Sequence, residues 1–310
     1  MDVSIIIVNF STQDLLNKLL ISIKEKMKSV EYEIIVVDNN SEDDSVEFLK
    51  NYFPKTVLIE NKTNVGFSKA NNQGAKLAKG KYLLFLNSDT LVCDGVAEKM
   101  LEYLQRKKST AIVGPKLLNQ DDTLQRSCGI FPNLCTEFSG RTFLNRLFPT
   151  SKVFGAYRLG AWDYATEKKV DWVSAACMLI RKDVFDQIAG FDENIYMFYE
   201  DVDLCFRVKK AGYKITFLPN AQIYHLHGGS WTNQREIPIF NKGKSALYFF
   251  RKHYRRWKTQ SLKIFILVEI LLSYLLFFPY LILKGEQLSG IQSRAKGYNA
   301  CLKHIVFRAN

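Results

Sequence analysis

A chain of 310 residues is long enough for one large domain or two ordinary ones with a substantial apolar core, so size rules out little. The formal charge of +12 at pH 7 calls for an anionic partner: nucleic acid, a membrane surface or a phosphorylated small molecule. Six cysteines (93, 128, 135, 177, 205 and 301) form no C-x-x-C pair and no Cys/His cluster at zinc-ligand spacing, which sets aside zinc ribbons and is expected of reduced thiols in the cytosol.

The N-terminus, MDVSIIIVNF, has no basic leader and passes straight into a strand, so it reads as no secretory signal and the N-terminal part is expected in the cytoplasm. SIIIVNF is followed by Leu15, Leu16, Leu19, Leu20 and Ile23 at helical spacing. EIIVVD is followed by a helix from about Ser41 bearing Val46, Leu49 and Phe53. TVLIE hands over to a helix with Phe67, Ala70 and Leu77, and KYLLFLN to one with Val96, Met100 and Leu104, before the strand AIVG. Strands apolar at nearly every position and alternating with helices predict an α/β fold, a mostly parallel Rossmann-like sheet flanked by helices on both faces. Ligands of such sheets sit beyond the carboxyl ends of the strands, which singles out Asn9, Asp38-Asn39-Asn40 and Asn87-Ser88-Asp89. No G-x-G-x-x-G occurs, and GAKLAKGK (74 to 81) misses the P-loop spacing by one residue and leads into a strand. A bound diphosphate would therefore need a divalent cation carried by protein oxygens or imidazole.

Residues 115 to 170 scatter Gly, Pro and Arg among aromatics and read as long loops and short elements around an acceptor site. DWVSAACMLIR then reads as a strand, KDVFDQIAG as a short helix closed by Gly190, and YKITFLP as a strand before AQIYHLHGGS. Between them MFYEDVDLCFR places Glu200, Asp201 and Asp203 at the start of a helix running to Gly212. Helix chemistry alone explains such acids, with Asp201 as N-cap and Asp203 favourable near the positive end of the dipole.

Six motifs in order change that balance: VDNNS (37 to 41), NVGFSKANNQG (64 to 74), LNSDT (86 to 90), VSAACMLIR, GFDENIYMFYEDVDLCFR (190 to 207) and HLHGGS (225 to 230). With them the chain resembles family-2 glycosyltransferases of the GT-A fold over roughly residues 2 to 235, and most of all the rhamnosyltransferases of bacterial polysaccharide and O-antigen assembly. The resemblance implies a nucleotide-sugar site made from Asn9, Asp38, Asn40, Asn64, Gly66, Asn71, Asn87, Ser88 and Asp89. Asp38 would accept hydrogen bonds from base or ribose; Asn71 is equally a plain helix start. Asn87-Ser88-Asp89 stands where the family has D-x-D, with Asn for the first acid. Asp89 would give Mg2+ or Mn2+ a carboxylate oxygen, and Asn87 would hold donor hydroxyls or phosphate. His225, at a strand end, would complete the metal shell or touch the diphosphate, with His227 as the alternative. Asp201 falls on the family's catalytic base and Glu200 beside it would orient hydroxyls; one base and no covalent relay imply inversion. Trp172, Ser174 and Gln125-Arg126-Ser127 are candidate acceptor or donor contacts, Trp172 equally a core residue.

The charge concentrates late in the chain. KGKSALYFFRKHYRRWK (242 to 258) interleaves seven Lys/Arg with five aromatics, and IFILVEILLSYLLFFPYLIL (264 to 283) has one charge, Glu269, in a length that spans hydrocarbon. An anionic membrane surface is thus the expected partner in preference to nucleic acid, with the basic-aromatic stretch as headgroup anchor. Lys/Arg on both flanks, and Pro279 as a place to turn back, favour an interfacial or re-entrant helix pair over a single span. The expected organisation is a catalytic domain over 1–238 (nucleotide-binding half 1–114, acceptor half 115–238) and a membrane-associating helical region over 239–310. Its expected function is transfer of a sugar, L-rhamnose from dTDP-rhamnose, to a lipid-linked polyprenyl saccharide at the cytoplasmic face of the membrane. The alternatives are UDP-galactose or UDP-GlcNAc as donor and a noncatalytic membrane scaffold.

Overall fold

The computed structural model describes residues 1–226, 236–283, 285 and 287–307. Its first elements alternate strand and helix: β1 (Val3–Asn9), α1 (Gln13–Lys26), β2 (Tyr32–Asp38), α2 (Ser45–Tyr52), β3 (Val57–Glu60), α3 (Phe67–Leu77), β4 (Tyr82–Asn87), β5 (Thr90–Val92), α4 (Val96–Arg106) and β6 (Thr110–Leu118). The middle holds β7 (Leu124–Gln125), β8 (Cys128–Gly129), α5 (Leu134–Arg141), α6 (Leu144–Leu147), β9 (Lys168–Val170), β10 (Trp172–Val173), β11 (Cys177–Arg181), α7 (Lys182–Gln187), α8 (Glu200–Lys210) and β12 (Lys214–His225). Helices complete the chain: α9 (Glu236–His253), α10 (Arg256–Leu272), α11 (Phe278–Leu283) and α12 (Leu288–Phe307).

These elements form two units. The first comprises Met1–Phe131, Asp163–Tyr196 and the described part of Glu200–Ser230; the second comprises Pro132–Trp162, Met197–Tyr199 and the described part of Trp231–Asn310.

In unit 1 one sheet runs β3-β2-β1-β4-β11-β6-β12-β5, with β7 on β6 and β9 on β12. The first four strands are parallel. β11 is antiparallel to both β4 and β6, and β12 is parallel to β6, so β6 and β12 run with β1 and the sheet is mixed beyond β4. Ile5 and Ile7 pack with Leu16, Leu19 and Leu20 of α1 on one face, while Ile6 on the other lies so near Gly74 of α3 that a Cβ there would approach it to 2.7 Å. Both faces are therefore covered, and each fully buried Leu or Ile contributes about 1.5–3 kcal/mol.

Three boundaries differ from the sequence expectation, each for a local polar reason. α2 begins at Ser45 rather than Ser41, because Ser41 bonds Asp38 while Asp43 accepts from Gln13 N at 2.9 Å and Ser45 N at 3.2 Å. DWVSAACMLIR is two strands, since Ser174 N donates to Ser127 O and Ser174 Oγ accepts from Ala176 N, turning the chain between β10 and β11. YKITFLP continues past Pro219 to His225, with a register shift between Leu218 and Gln222.

Unit 2 is helical. Asn133 caps α5 with a reciprocal Thr136 bond. Phe249, Phe250, Leu262, Ile266 and Ile270 are buried, so two of the five aromatics of the basic stretch are core and unavailable as headgroup anchors; Trp257 is exposed. Arg256–Tyr280 is, among the described residues, one helix long and apolar enough to cross a membrane by length and composition. Its lone acid, Glu269, meets Arg141 of α5 at 2.6 Å, while Ile264, Leu267, Leu271 and Leu275 stay exposed. Pro279 does not reverse the chain. A π-helical turn (Ser273–Phe277) precedes it and absorbs the missing hydrogen bond, and the path leaves helix near Gly285, at φ 76°.

Candidate active site

Topology aligns the polar strand ends of unit 1. Asn9 lies opposite Asp38 and Val8 opposite Asn87, so β1, β2 and β4 stop level with one another. β12 runs the same way, and its pairing with β5 sets His225 opposite Thr90, next to Asp89. The short turn 211–213 reverses α8 into β12, so the helix start at Glu200 and Asp201 points toward the same edge.

The residues around Asp38 form a closed network. Asn9 Nδ2 donates to Asp38 Oδ2 and Ser41 Oγ, both at 3.0 Å, and Ser41 supplies its Oγ to Asp38 Oδ2 (2.6 Å) and its N to Oδ1 (2.9 Å). Thr12 Oγ1 donates to Asn9 Oδ1 at 2.8 Å and so accepts from Ser88 Oγ at 2.8 Å. Asp38 is 2% exposed, and its carboxylate orientation is fixed from both oxygens. Asn40 follows at φ 67°, exposed, in the left-handed region that asparagine tolerates.

A second network starts at Asn39. Its Nδ2 donates to Asn64 Oδ1 at 2.9 Å, which also accepts from Gly66 N (3.0 Å) and the Tyr196 hydroxyl (2.8 Å). Gly66, at φ 87°, starts α3, and a Cβ there would stand 2.8 Å from the Tyr196 carbonyl oxygen, so no larger residue fits unstrained. Asn71 is buried and donates to Phe67 O within its own helix, the plain structural alternative.

Asp89, His225 and Asn87 meet as a third group. His225 Nε2 lies 3.1 Å from Asp89 Oδ1 and 3.4 Å from Asn87 Nδ2. Gln125 decides how the imidazole is held. Its Nε2 donates to Asn119 Oδ1 (2.7 Å) and to His225 O (3.0 Å), which leaves Oε1 to accept from His225 Nδ1–H at 2.7 Å. In that tautomer Nε2 turns its lone pair toward the Asn87 amide N–H and the Asp89 carboxylate, the side from which a cation would be held. Asn87 Oδ1 is buried without a hydrogen-bond partner. A carboxylate, an imidazole nitrogen and an orphaned amide oxygen suit a hard divalent cation. Among the described residues no group of three His, Cys, Asp or Glu side chains assembles, so the amide oxygen is needed to reach three donors. His227 lies outside the described residues.

At the start of α8, Glu200 is buried with Oε2 unpartnered, and burial first, then the neighbouring Asp201 charge, pushes its pKa well above the usual carboxylate range. Asp201 is half-buried and sits inside the first turn, one residue past the helix start, so it is not the N-cap; its Oδ1 accepts from Val202 N at 2.8 Å. Asp203 is fully buried and paired with Arg207 at 2.7 Å, a structural role. Trp172 is buried, its Nε1 donating to Ile130 O at 2.9 Å, and Ser174 holds the turn already described. Arg126 is half-buried beside Gln125. Sequence reasoning grouped Gln125 with substrate contacts and missed its grip on His225, which depends on the pairing of β7 with β6.

Comparison with known proteins agrees with this architecture. Residues 4–162 match the family model Glycosyl transferase family 2. The N-acetylglucosaminyl-diphospho-decaprenol L-rhamnosyltransferase of Mycobacterium tuberculosis is 25% identical over 72% of this chain and 76% of that protein. Rhamnosyltransferase WbbL of Escherichia coli is 24% identical over 72% and 83%. Among solved structures, GalNAc-T7 with UDP, GalNAc and Mn2+ superposes with a TM-score of 0.56 at 15% identity over 79% of this chain and 47% of that one. Residues 1–349 of S. aureus TarS give 0.53 at 15% identity over 99% and 82%, so the GT-A-like fold is shared. The chain belongs to glycosyl transferase family 2.

Proposed function

We propose that this family-2 chain is an inverting transferase moving L-rhamnose from dTDP-rhamnose to a polyprenyl-linked saccharide at the cytoplasmic face of the membrane, in cell-surface polysaccharide synthesis. The observation that supports it is the single sheet edge carrying Asn9, Asp38, Asp89 and His225, toward which Glu200 and Asp201 also point. Asp38, locked by its neighbours, offers a fixed acceptor to the base or ribose, while Asn64, whose Oδ1 already accepts three bonds, holds the turn at Gly66 that packs against Tyr196. Asp89, His225 Nε2 and Asn87 Oδ1 would hold Mg2+ or Mn2+, which supplies positive charge against the departing diphosphate. Asp201 takes the proton of the acceptor hydroxyl as that oxygen attacks the anomeric carbon. Glu200, beside it at the helix start, is placed to orient a sugar hydroxyl. The catalytic domain is assigned to 1–238 and membrane association to 239–310, where the exposed face of α10 meets lipid.

A panel of dTDP-rhamnose, UDP-galactose and UDP-GlcNAc, with Mn2+ or Mg2+ and with chelator, tests this through nucleoside diphosphate release. Release from dTDP-rhamnose that chelator abolishes is expected. Release from a UDP sugar alone would reassign the donor, and release from none would sink the enzymatic reading.

A further inference from the structure

α10 is apolar on two sides, and unit 2 covers one of them. Thr259, Leu262, Ile266, Ile270 and Ser273 are buried, whereas Trp257, Gln260, Ile264, Leu267, Leu271 and Tyr274 are exposed. The exposed set recurs every three or four residues, so it forms one stripe along the helix. Past Tyr274 the exposure spreads to Leu275, Leu276, Tyr280, Ile282 and Leu283. The covered side decides how a bilayer could take this face. α5 holds it through the 2.6 Å pair of Arg141 with Glu269 and through the Phe138 and Phe265 rings, whose centroids are 5.3 Å apart. α12 returns alongside: the Tyr274 hydroxyl donates to Asn299 Oδ1 at 3.1 Å, and the Phe278 and Tyr298 rings are 6.1 Å apart. α12 is in turn seated on α9, whose Glu236 N donates to Ser293 Oγ at 3.2 Å. A crossing α10 would drag Arg294, Lys296 and Asn299 of α12 into hydrocarbon, together with the Glu269 pair. Laid flat, the helix immerses only its open stripe.

Charge selects the occupant. Residues 132–162, 197–199 and 231–310 hold 18 of the 43 Lys/Arg but 4 of the 31 Asp/Glu, so the unit's own acids can neutralise few of its cations. Six Lys/Arg and no acid fall within 251–263, where the stripe begins. A second copy seated on the stripe would bring those cations together and leave the apolar positions past Tyr274 bare. An anionic lipid surface meets both the cations and the spread of apolar side chains.

We propose that α10 and α11 lie in the plane of an anionic bilayer, with the stripe sunk into one leaflet and no crossing of the membrane. This orientation rests on the reading of 239–310 as membrane-associating. The test dilutes the full chain from detergent into preformed vesicles of phosphatidylglycerol and phosphatidylcholine whose acyl chains carry bromine either near the headgroup or near the methyl end. Tryptophan fluorescence of Leu271→Trp is compared with that of the unaltered protein. The quenching gained at position 271 should be at least about two-fold greater from the shallow bromine than from the deep one. The reverse order would put the middle of α10 at the bilayer centre and overturn the in-plane orientation. By vesicle flotation, binding to phosphatidylcholine alone should be at least about ten-fold weaker. The double variant Ile264→Gln, Leu271→Gln should lose as much, while Leu77→Gln, at an exposed apolar position of α3, should lose nothing. No binding, equal binding to both lipids, or equal losses for the two variants would overturn the surface. A dimer in solution that the double variant dissolves would give the stripe to a second copy instead. Donor turnover is measured in detergent, so failure to bind vesicles leaves the role of Asp201 standing, and failure of turnover leaves the vesicle result standing.

Discussion

Gln125 makes no contact that its sequence neighbours announce, yet it fixes which nitrogen of His225 faces Asp89. Partners of this kind are typically worth 10- to 100-fold, roughly, in metal affinity. Gln125→Met is therefore expected to weaken Mn2+ binding, read by calorimetry, by about that factor, whereas Gln125→Glu, which still accepts from Nδ1–H but loses the bonds to His225 O and Asn119 Oδ1, should keep only part of it. Equal affinity in all three proteins would remove Gln125 from the site. Glu200 carries a second prediction. Its folded pKa lies well above its ordinary value of 4.5, so the folded protein binds the extra proton and this group costs stability as pH rises from about 4.5 toward the folded pKa. Glu200→Gln should flatten the fall of Tm with pH over that window; an unchanged slope would mean that Glu200 ionises freely. The types of these residues were legible in the sequence, their partners less so. Asp89 and His225 are brought together by the β5 and β12 ladder, a pairing 135 positions apart that local pattern does not encode.

The helices and strands that sequence periodicity defined best are those whose apolar positions enter one continuous core, as Leu16, Leu19, Leu20 and Ile23 of α1 do. Where a polar side chain competes for backbone, the reading slipped: Ser41 left α2 for Asp38, and Ser174 cut one expected strand in two. α10 shows the opposite limit. Twenty residues with one acid read as an interfacial or re-entrant pair in preference to a single span, and nothing in that run announces that its Glu269 meets Arg141 of α5. With side chains 7% and 20% exposed, that pair differs from surface ion pairs, which contribute about 0–1 kcal/mol. Glu269→Gln leaves Arg141 with Glu137 alone, and a loss of up to about 3 kcal/mol is expected, read as a lowered Tm in detergent. An unchanged Tm would mean that this pair does not hold α10 to α5.

The whole chain divides its work by charge, with a slightly acidic α/β unit holding the polar sheet edge and a basic helical unit carrying the apolar face. GT-A architecture, family membership and the strand-end residues were readable because six short motifs keep their order along the chain. The burial of Arg141 between two glutamates was not, since an arginine in a loop-rich stretch does not announce the distant Glu269 that it meets. The most direct test of the chemistry is turnover of the best nucleotide-sugar donor by Asp201→Asn compared with the unaltered protein, with donor affinity measured in parallel. A loss of about 10²- to 10⁴-fold in turnover with donor affinity retained is expected of a general base. Turnover within a few-fold of the unaltered protein would contradict it.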